Sequence, residues 1–166
     1  MSISKSQRWQ AIACDLDGTL LGRDLQIHPD DAAAVRRAQD AGLRFAICTG
    51  RNAVESFTAA HQLNLHGPGI FVNGGVIADM HTGCANEFTP IGADRLDRLV
   101  EFFGSLGHAV LLLAIDPETN LPRYVITQHG KPHQATVEWL VANKMKAVEQ
   151  AAIDPRLSDR IIRATI

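Results

Sequence analysis

The stretch Trp9-Gln10-Ala11-Ile12-Ala13-Cys14-Asp15-Leu16-Asp17-Gly18-Thr19-Leu20 changes character at Asp15. Trp9 to Cys14 is a short apolar run, the pattern of a buried parallel strand, and it ends at acidic, turn-prone residues. Asp15 therefore stands at the carboxyl end of an opening strand. Downstream, Pro29 to Ala41 reads as a helix, with proline in its first turn, Ala34, Val35, Ala38 and Ala41 on a common face, and Gly42 as the stop. Leu43 to Cys48 is strand-like, Asn52 to Leu63 has helical composition, and Gly69 to Val72 is a third apolar strand that breaks at Asn73-Gly74-Gly75. Strand, helix, strand, helix, strand with short connections predicts an α/β fold, a Rossmann-like parallel sheet covered by helices. Ligands of such sheets bind beyond the carboxyl ends of the strands.

After Gly75 the rhythm changes. Val76 to Ala78 and Cys84 to Phe88 flank a turn at Asp79 to Gly83 and predict a hairpin. A second, α+β module begins near Thr89, so the expected division is 1–88 for the sheet core and 89–166 for the added module. In that module Ala93 to Leu106 is amphipathic, with Leu96, Leu99, Val100 and Phe103 at helical spacing. Val110 to Ile115 and Tyr124 to Thr127 read as strands, Thr136 to Ala152 as a helix with a possible break near Lys144, and Arg160 to Ile166 as a strand.

A chain of 166 residues with 46% hydrophobic content is long enough for a core. Sixteen basic against 18 acidic residues give a net charge of -2, which offers no basic field for nucleic acid or an anionic membrane. Met1 to Gln10 holds no apolar run of signal-peptide or membrane-spanning length, which predicts a cytoplasmic protein. Cys14, Cys48 and Cys84 are odd in number and widely spaced, a pattern of small buried hydrophobes rather than of disulfides or zinc ligands. Phe102, Phe103 and Trp139 read most simply as core or interface residues, with a place lining a surface of the added module as the alternative.

The chemistry is concentrated at the strand ends. Asp15 and Asp17, two positions apart, face one site if the backbone turns there, and Gly18 permits close approach of that backbone to a ligand. Two carboxylates suit magnesium, which takes oxygen ligands and is commonly completed by water and a substrate phosphate. Thr49-Gly50-Arg51, read as opening a helix directly after the second strand, offers a hydroxyl, a flexible amide and a helix N-terminus to a phosphate oxygen. A plain helix N-cap at Thr49 is the alternative there. For Asn73 a bland turn competes with a role on the substrate side.

Asp15-Leu16-Asp17-Gly18-Thr19-Leu20 resembles the first signature motif of the haloacid dehalogenase superfamily, D-x-D-G-T-[LV], and matches it at every specified position. Thr49-Gly50-Arg51 and Asn73-Gly74-Gly75 resemble the corresponding segments of its Cof-type branch, and residues after Thr89 resemble the start of a type-2 cap. The resemblance implies a phosphatase of small phosphorylated metabolites in which Asp15 is the nucleophile and Asp17 the general acid and base. Both would serve as magnesium ligands, and Leu16, Gly18, Thr49, Gly50 and Arg51 would lie on the phosphate side. Two further motifs of the family, a lysine and a G-D-x-x-N-D-like segment, have no match: Lys131, Lys144, Lys146, Asp154 and Asp159 stand in other settings. The expectations are therefore a truncated and slow or inactive chain, with uncovered sheet edge favouring a homo-oligomer. A non-catalytic module binding phosphate or a protein, and a phosphomutase, remain open beside the hydrolase.

Overall fold

The computed structural model describes residues 9–166, so residues 1–8 of the stretch read for a targeting signal lie outside the described residues. Among the described residues no helix is long and apolar enough to cross a membrane. The first layer contains β1 (Ala11–Cys14), α1 (Pro29–Asp40), β2 (Arg44–Ile47), the six-residue α2 (Phe57–Gln62), β3 (Pro68–Phe71), β4 (Val76–Asp79) and β5 (Ala85–Phe88). β1 runs parallel to β2, with Ala11 opposite Arg44 and Cys14 opposite Ile47. A parallel bridge from Cys48 to Ile70, continued by the Thr49 amide donating to the Ile70 carbonyl at 2.9 Å, joins β2 to β3. β4 and β5 then follow as an antiparallel meander, so the mixed α/β architecture expected from the sequence is present.

Three local expectations are corrected here. The buried face of α1 is Ala32 and Val35, whereas Ala34 and Ala41 are exposed. An alanine run does not fix a helix's phase; Val35, the one large apolar residue of the segment, does. β1, expected to be a buried strand, is largely solvent-exposed: Trp9 is 86% and Ile12 37% accessible. It pairs on one side only, with β2, and no described strand pairs with its other edge. The three cysteines are free and half-buried rather than fully enclosed.

The second layer is built from α3 (Ala93–Ser105), β6 (Leu111–Ile115), β7 (Pro122–Thr127), α4 (Gln134–Ala142), β8 (Ala147–Gln150) and β9 (Ile161–Thr165), in the sheet order β8-β7-β6-β9. Every residue of β6 is buried, and its alternation assigns the two faces. Leu112 and Ala114, with Val125 and Ile161, pack on Leu96 and Val100 of α3. Leu111, Leu113 and Ile115, with Tyr124 and Ile126, join Leu16, Leu20, Ile47 and Phe71 of the first layer in one continuous core. The helix expected over 136–152, with a break near Lys144, ends at Ala142. Lys144 adopts φ +53° and the chain continues as β8 along β7, which places Met145 and Ala147 against the core. No glycine or proline marks this break in the sequence; pairing of 147–150 with the free edge of β7 outweighs helical composition.

The β4–β5 and β6–β7 hairpins use the same device. Asp79 Oδ1 accepts from the amides of His81 and Thr82 and from the Thr82 hydroxyl, at 3.0, 2.7 and 3.0 Å. Asp116 Oδ1 repeats this with Glu118 and Thr119, all at 3.0 Å. The turn closes through a left-handed residue, Gly83 in one and Asn120 in the other. Burial works to raise the Asp79 pKa, but the amide and hydroxyl donors outweigh it and hold the carboxyl below its ordinary value. For Asp116 the Thr119 amide leads in the same downward direction. Because both folded-state values lie below the unfolded ones, this stabilisation is complete above the unfolded value of about 3.9 and is lost as pH falls through the folded values. Asp79→Ala is expected to lower the unfolding free energy at pH 7 by about 1–2 kcal/mol. The deficit should shrink as the pH of a denaturant titration is taken below 4; a constant deficit would refute the carboxylate's role.

Candidate active site

The first strand delivers its acids through a loop pinned from below. Leu16 is fully buried and its carbonyl receives the amides of Thr19 and Leu21, at 3.2 and 2.7 Å. Leu20, Leu21 and Ile27 are also buried. The two carboxylates on either side of Leu16 are thereby forced outward, and both aspartates are exposed. Asp15 Oδ2 accepts the Thr19 hydroxyl at 3.4 Å. Gly18 adopts φ +76°, which L side chains rarely enter, and its amide donates to the Leu21 carbonyl at 3.1 Å. The Gly18 amide is thus engaged within the loop.

The loop after β2 lies across the first. Arg51 grips Asp17 with two nitrogens, Nε to Oδ2 at 2.8 Å and Nη2 to Oδ1 at 2.6 Å. These charge-assisted bonds hold the Asp17 carboxyl below the usual range. Thr49 is buried, and its hydroxyl oxygen accepts the Arg51 amide at 3.3 Å. The segment does not open a helix directly, as its sequence led one to expect: a 3-10 turn starts at Val54 and α2 only at Phe57. The cause is a capping box at Asn52. The Glu55 amide donates to Asn52 Oδ1 at 3.0 Å, and the Asn52 amide to Glu55 Oε2 at 2.9 Å, so the protein's own carboxylate occupies the helix start.

The loop after β3 completes the floor. Val72 and Asn73 adopt φ +53° and +54° in succession, an unfavourable conformation for a β-branched residue. It is held by the Val72 amide donating to the Arg51 carbonyl at 3.0 Å and the Asn73 amide to the Thr49 carbonyl at 3.2 Å. The Asn73 side chain is folded over Gly50, where any Cβ would lie 2.9 Å from Asn73 Oδ1. Glycine at 50 is what allows Asn73 this close approach.

A polar knot fastens the second sheet to these loops. Tyr124 of β7 donates its hydroxyl to Glu55, and that oxygen accepts Arg163 Nη2 at 2.7 Å and Asn52 Nδ2 at 3.2 Å. Burial, reinforced by the Glu55 carboxylate, pushes the Tyr124 hydroxyl pKa up and keeps it a proton donor. Arg163 Nη1 also donates to the Gly50 carbonyl at 3.3 Å. Above this floor lies a cavity of about 600 Å³, walled by Asp17, Gly50, Arg51 and Glu55 on one side and by Trp139, Thr136, Asn143 and Arg163 on the other. No local pattern points to Tyr124 or Arg163, the latter 113 residues from its partner Gly50. Asn52-x-x-Glu55 does carry the capping-box signature. Lys131, Lys144 and Lys146 are exposed and none lines the cavity. Asp154 caps the turn at 155–157 and pairs with Arg156, and His133 accepts the Ala135 amide to cap α4.

A divalent ion is tested by the donor set. No group of three His, Cys, Asp or Glu side chains converges among the described residues. Two exposed carboxylates on one loop remain a suitable pair for magnesium, which needs only one or two together with water and phosphate oxygens. A cation there competes with Arg51 for Asp17.

Comparison with known proteins gives the chain its relatives. Residues 12–153 match the haloacid dehalogenase-like hydrolase family. The 5-amino-6-(5-phospho-D-ribitylamino)uracil phosphatase of Bacillus subtilis is 41% identical over 70 residues, 42% of this chain and 24% of that protein. The pyridoxal phosphate phosphatase of Escherichia coli is 35% identical over 92 residues, 55% of this chain and 34% of that protein. The chain thus spans about a quarter to a third of these relatives. Among solved structures, a protein from Geobacillus kaustophilus superposes with a TM-score of 0.67 at 23% identity, over 95% of this chain and 57% of that one. A superfamily phosphatase from Bacteroides thetaiotaomicron also gives 0.67, at 18% identity, over 92% and 53%. These two likenesses concern the fold. With the family match covering most of its residues and the same fold recurring in these structures, the chain belongs to the haloacid dehalogenase-like hydrolases.

Proposed function

We propose that this chain is the core-and-cap part of a magnesium-dependent phosphoric monoester hydrolase, acting in the cytoplasm on a small phosphorylated metabolite. In this reading 1–88 form the core and 89–166 begin the cap. The observation that supports it most is the Arg51–Asp17 contact, which draws the loop after β2 onto the loop that carries Asp15. Asp15 attacks phosphorus and forms an aspartyl-phosphate; Asp17 gives a proton to the leaving oxygen and later takes one from the attacking water. The Thr49 hydroxyl and the amides of Leu16 and Gly50 receive phosphoryl oxygens, and Arg51 adds positive charge. Asn73, folded over Gly50, contacts the substrate side. Magnesium, held by Asp15 and Asp17, would neutralise phosphate charge and keep Asp15 ionised. The names of the two relatives, one a ribitylaminouracil phosphate phosphatase and one a pyridoxal phosphate phosphatase, support a dissolved phosphomonoester as the substrate class.

Asp17 held as a carboxylate by Arg51 has no proton to give. A phosphate dianion entering the cleft competes for the guanidinium and frees Asp17. The same clamp favours a second reading, a module that binds phosphate without turning it over.

Magnesium-dependent phosphate release from a panel of phosphomonoesters is expected, and Asp15→Asn should reduce it by a factor on the order of 10³ or more. Unchanged turnover in that variant excludes the nucleophile. Phosphate binding that depends on Thr49, with no release from any ester, selects the second reading. In the metal-free chain, Arg51→Gln should raise the Asp17 pKa toward its ordinary value of about 3.9, followed by NMR titration of the side-chain carboxyl. An Asp17 that titrates alike in both proteins rules out the clamp.

A further inference from the structure

The cavity above the acids has more room than a phosphate needs, and its far wall is one stripe of one helix. At about 600 Å³ it lies within the range of small-molecule sites. Ala135, Thr136, Trp139 and Asn143 line it; spacings of three, four and seven residues put them on one face of α4 and its C-cap. Leu111 extends the wall from β6. The Trp139 indole is half-buried and held by an edge-on contact with Tyr124, 5.6 Å between centroids at 76°. Tyr124 is itself fixed by Glu55, Arg163 and Asn52, so the indole is braced by the knot that fastens the sheet to the phosphate-side loops.

The polar groups on this wall are few and directional. Asn143 Nδ2 donates to the Trp139 carbonyl at 2.8 Å, which sets the amide and leaves its Oδ1 without a donor among the described residues. Thr136 also lines the cavity, where its hydroxyl can donate or accept. Arg51 and Arg163, which also line the cavity, supply cations. A polyol placed here would set several hydroxyls against Leu111, Ala135 and the indole, and desolvated hydroxyls without partners weaken binding. A flat ring with one or two polar edges meets an aromatic surface and two hydrogen-bonding groups.

We propose that the cavity selects phosphomonoesters whose leaving group carries a planar heteroaromatic ring, with Trp139 as the ring-contacting residue and Thr136 and Asn143 as readers of its polar edge. The inference rests on the phosphatase reading above: the phosphoryl group lies at Asp15 and Arg51, the ring at α4. It assigns a substrate class and three specificity-determining residues in the half of the chain where no catalytic group lies.

Binding to the 166-residue chain with magnesium present tests it by calorimetry. Pyridoxine 5′-phosphate, ribose 5-phosphate and inorganic phosphate are the probes, and Trp9→Phe serves as a control because Trp9 stands apart in solvent. The ring-bearing ester should bind about tenfold more tightly than ribose 5-phosphate, a difference of about 1.4 kcal/mol. Trp139→Leu should bring the two esters within about twofold of each other, and Trp139→Phe, which keeps an aromatic surface, should retain most of the gap. Circular dichroism establishes that both variants fold, and Asn143→Ala gives a milder loss of preference that does not disturb the core. Equal affinity for the two esters in the unaltered chain, or a tenfold gap that survives Trp139→Leu, overturns the inference while inorganic phosphate still binds. Absence of inorganic phosphate binding sinks the phosphatase reading and this inference together.

Discussion

A sheet buried on both faces must be covered twice, and the strand pair β6 and β7 imposes that condition on everything around it. With every residue of β6 out of solvent, α3 covers one face and the loops at the carboxyl ends of β1 to β3 are drawn against the other. The apolar gain from that second face is what holds two small layers in register. Its cost is the burial of polar groups at the seam, which the Glu55, Asn52, Tyr124 and Arg163 knot satisfies: no buried side-chain nitrogen or oxygen among the described residues lacks a partner. The knot and the cavity are consequences of the same contact, since where apolar packing stops the loops and α4 diverge and leave a space lined by charge below and an indole above.

The legible parts of the fold were those encoded over short distances. β1, β2 and β3 announce themselves as apolar runs, the β4–β5 hairpin through its turn at Asp79 to Gly83, and α3 through Leu96, Val100 and Phe103. The phase of α1 was misjudged because alanines carry little burial energy. The break near Lys144 is legible in the composition of 136–152, but the strand that follows it is not, because β8 exists only where β7 has an edge to fill. The exposure of β1 was invisible for a related reason: apolar residues report a strand's preference for burial, not whether a partner is present to provide it.

For the candidate site, sequence located the three loops but not their interlock. Asp15, Asp17, Thr49 and Asn73 were found by position after strands, a local property. That Arg51 would close on Asp17, or that the capping box at Asn52 would fill the helix start with Glu55, depends on geometry across loops that no local spacing expresses. Trp139 was seen as an aromatic residue of ambiguous purpose; only the packing of α4 beside β7 turns its ring toward the acids' side of the molecule.

The repeated aspartate turn has a consequence for how the chain reaches this arrangement. Asp79 with Thr82 and Asp116 with Thr119 each close within a handful of neighbouring residues, so β4–β5 and β6–β7 can form as isolated ribbons on the microsecond scale of hairpin closure, about 1–10 μs. The knot, by contrast, ties Gly50 to Arg163 across most of the chain, and contacts so distant carry a large loop-closure entropy. Assembly is thus ordered in time: two self-instructed ribbons first, and the knot beside the pocket last.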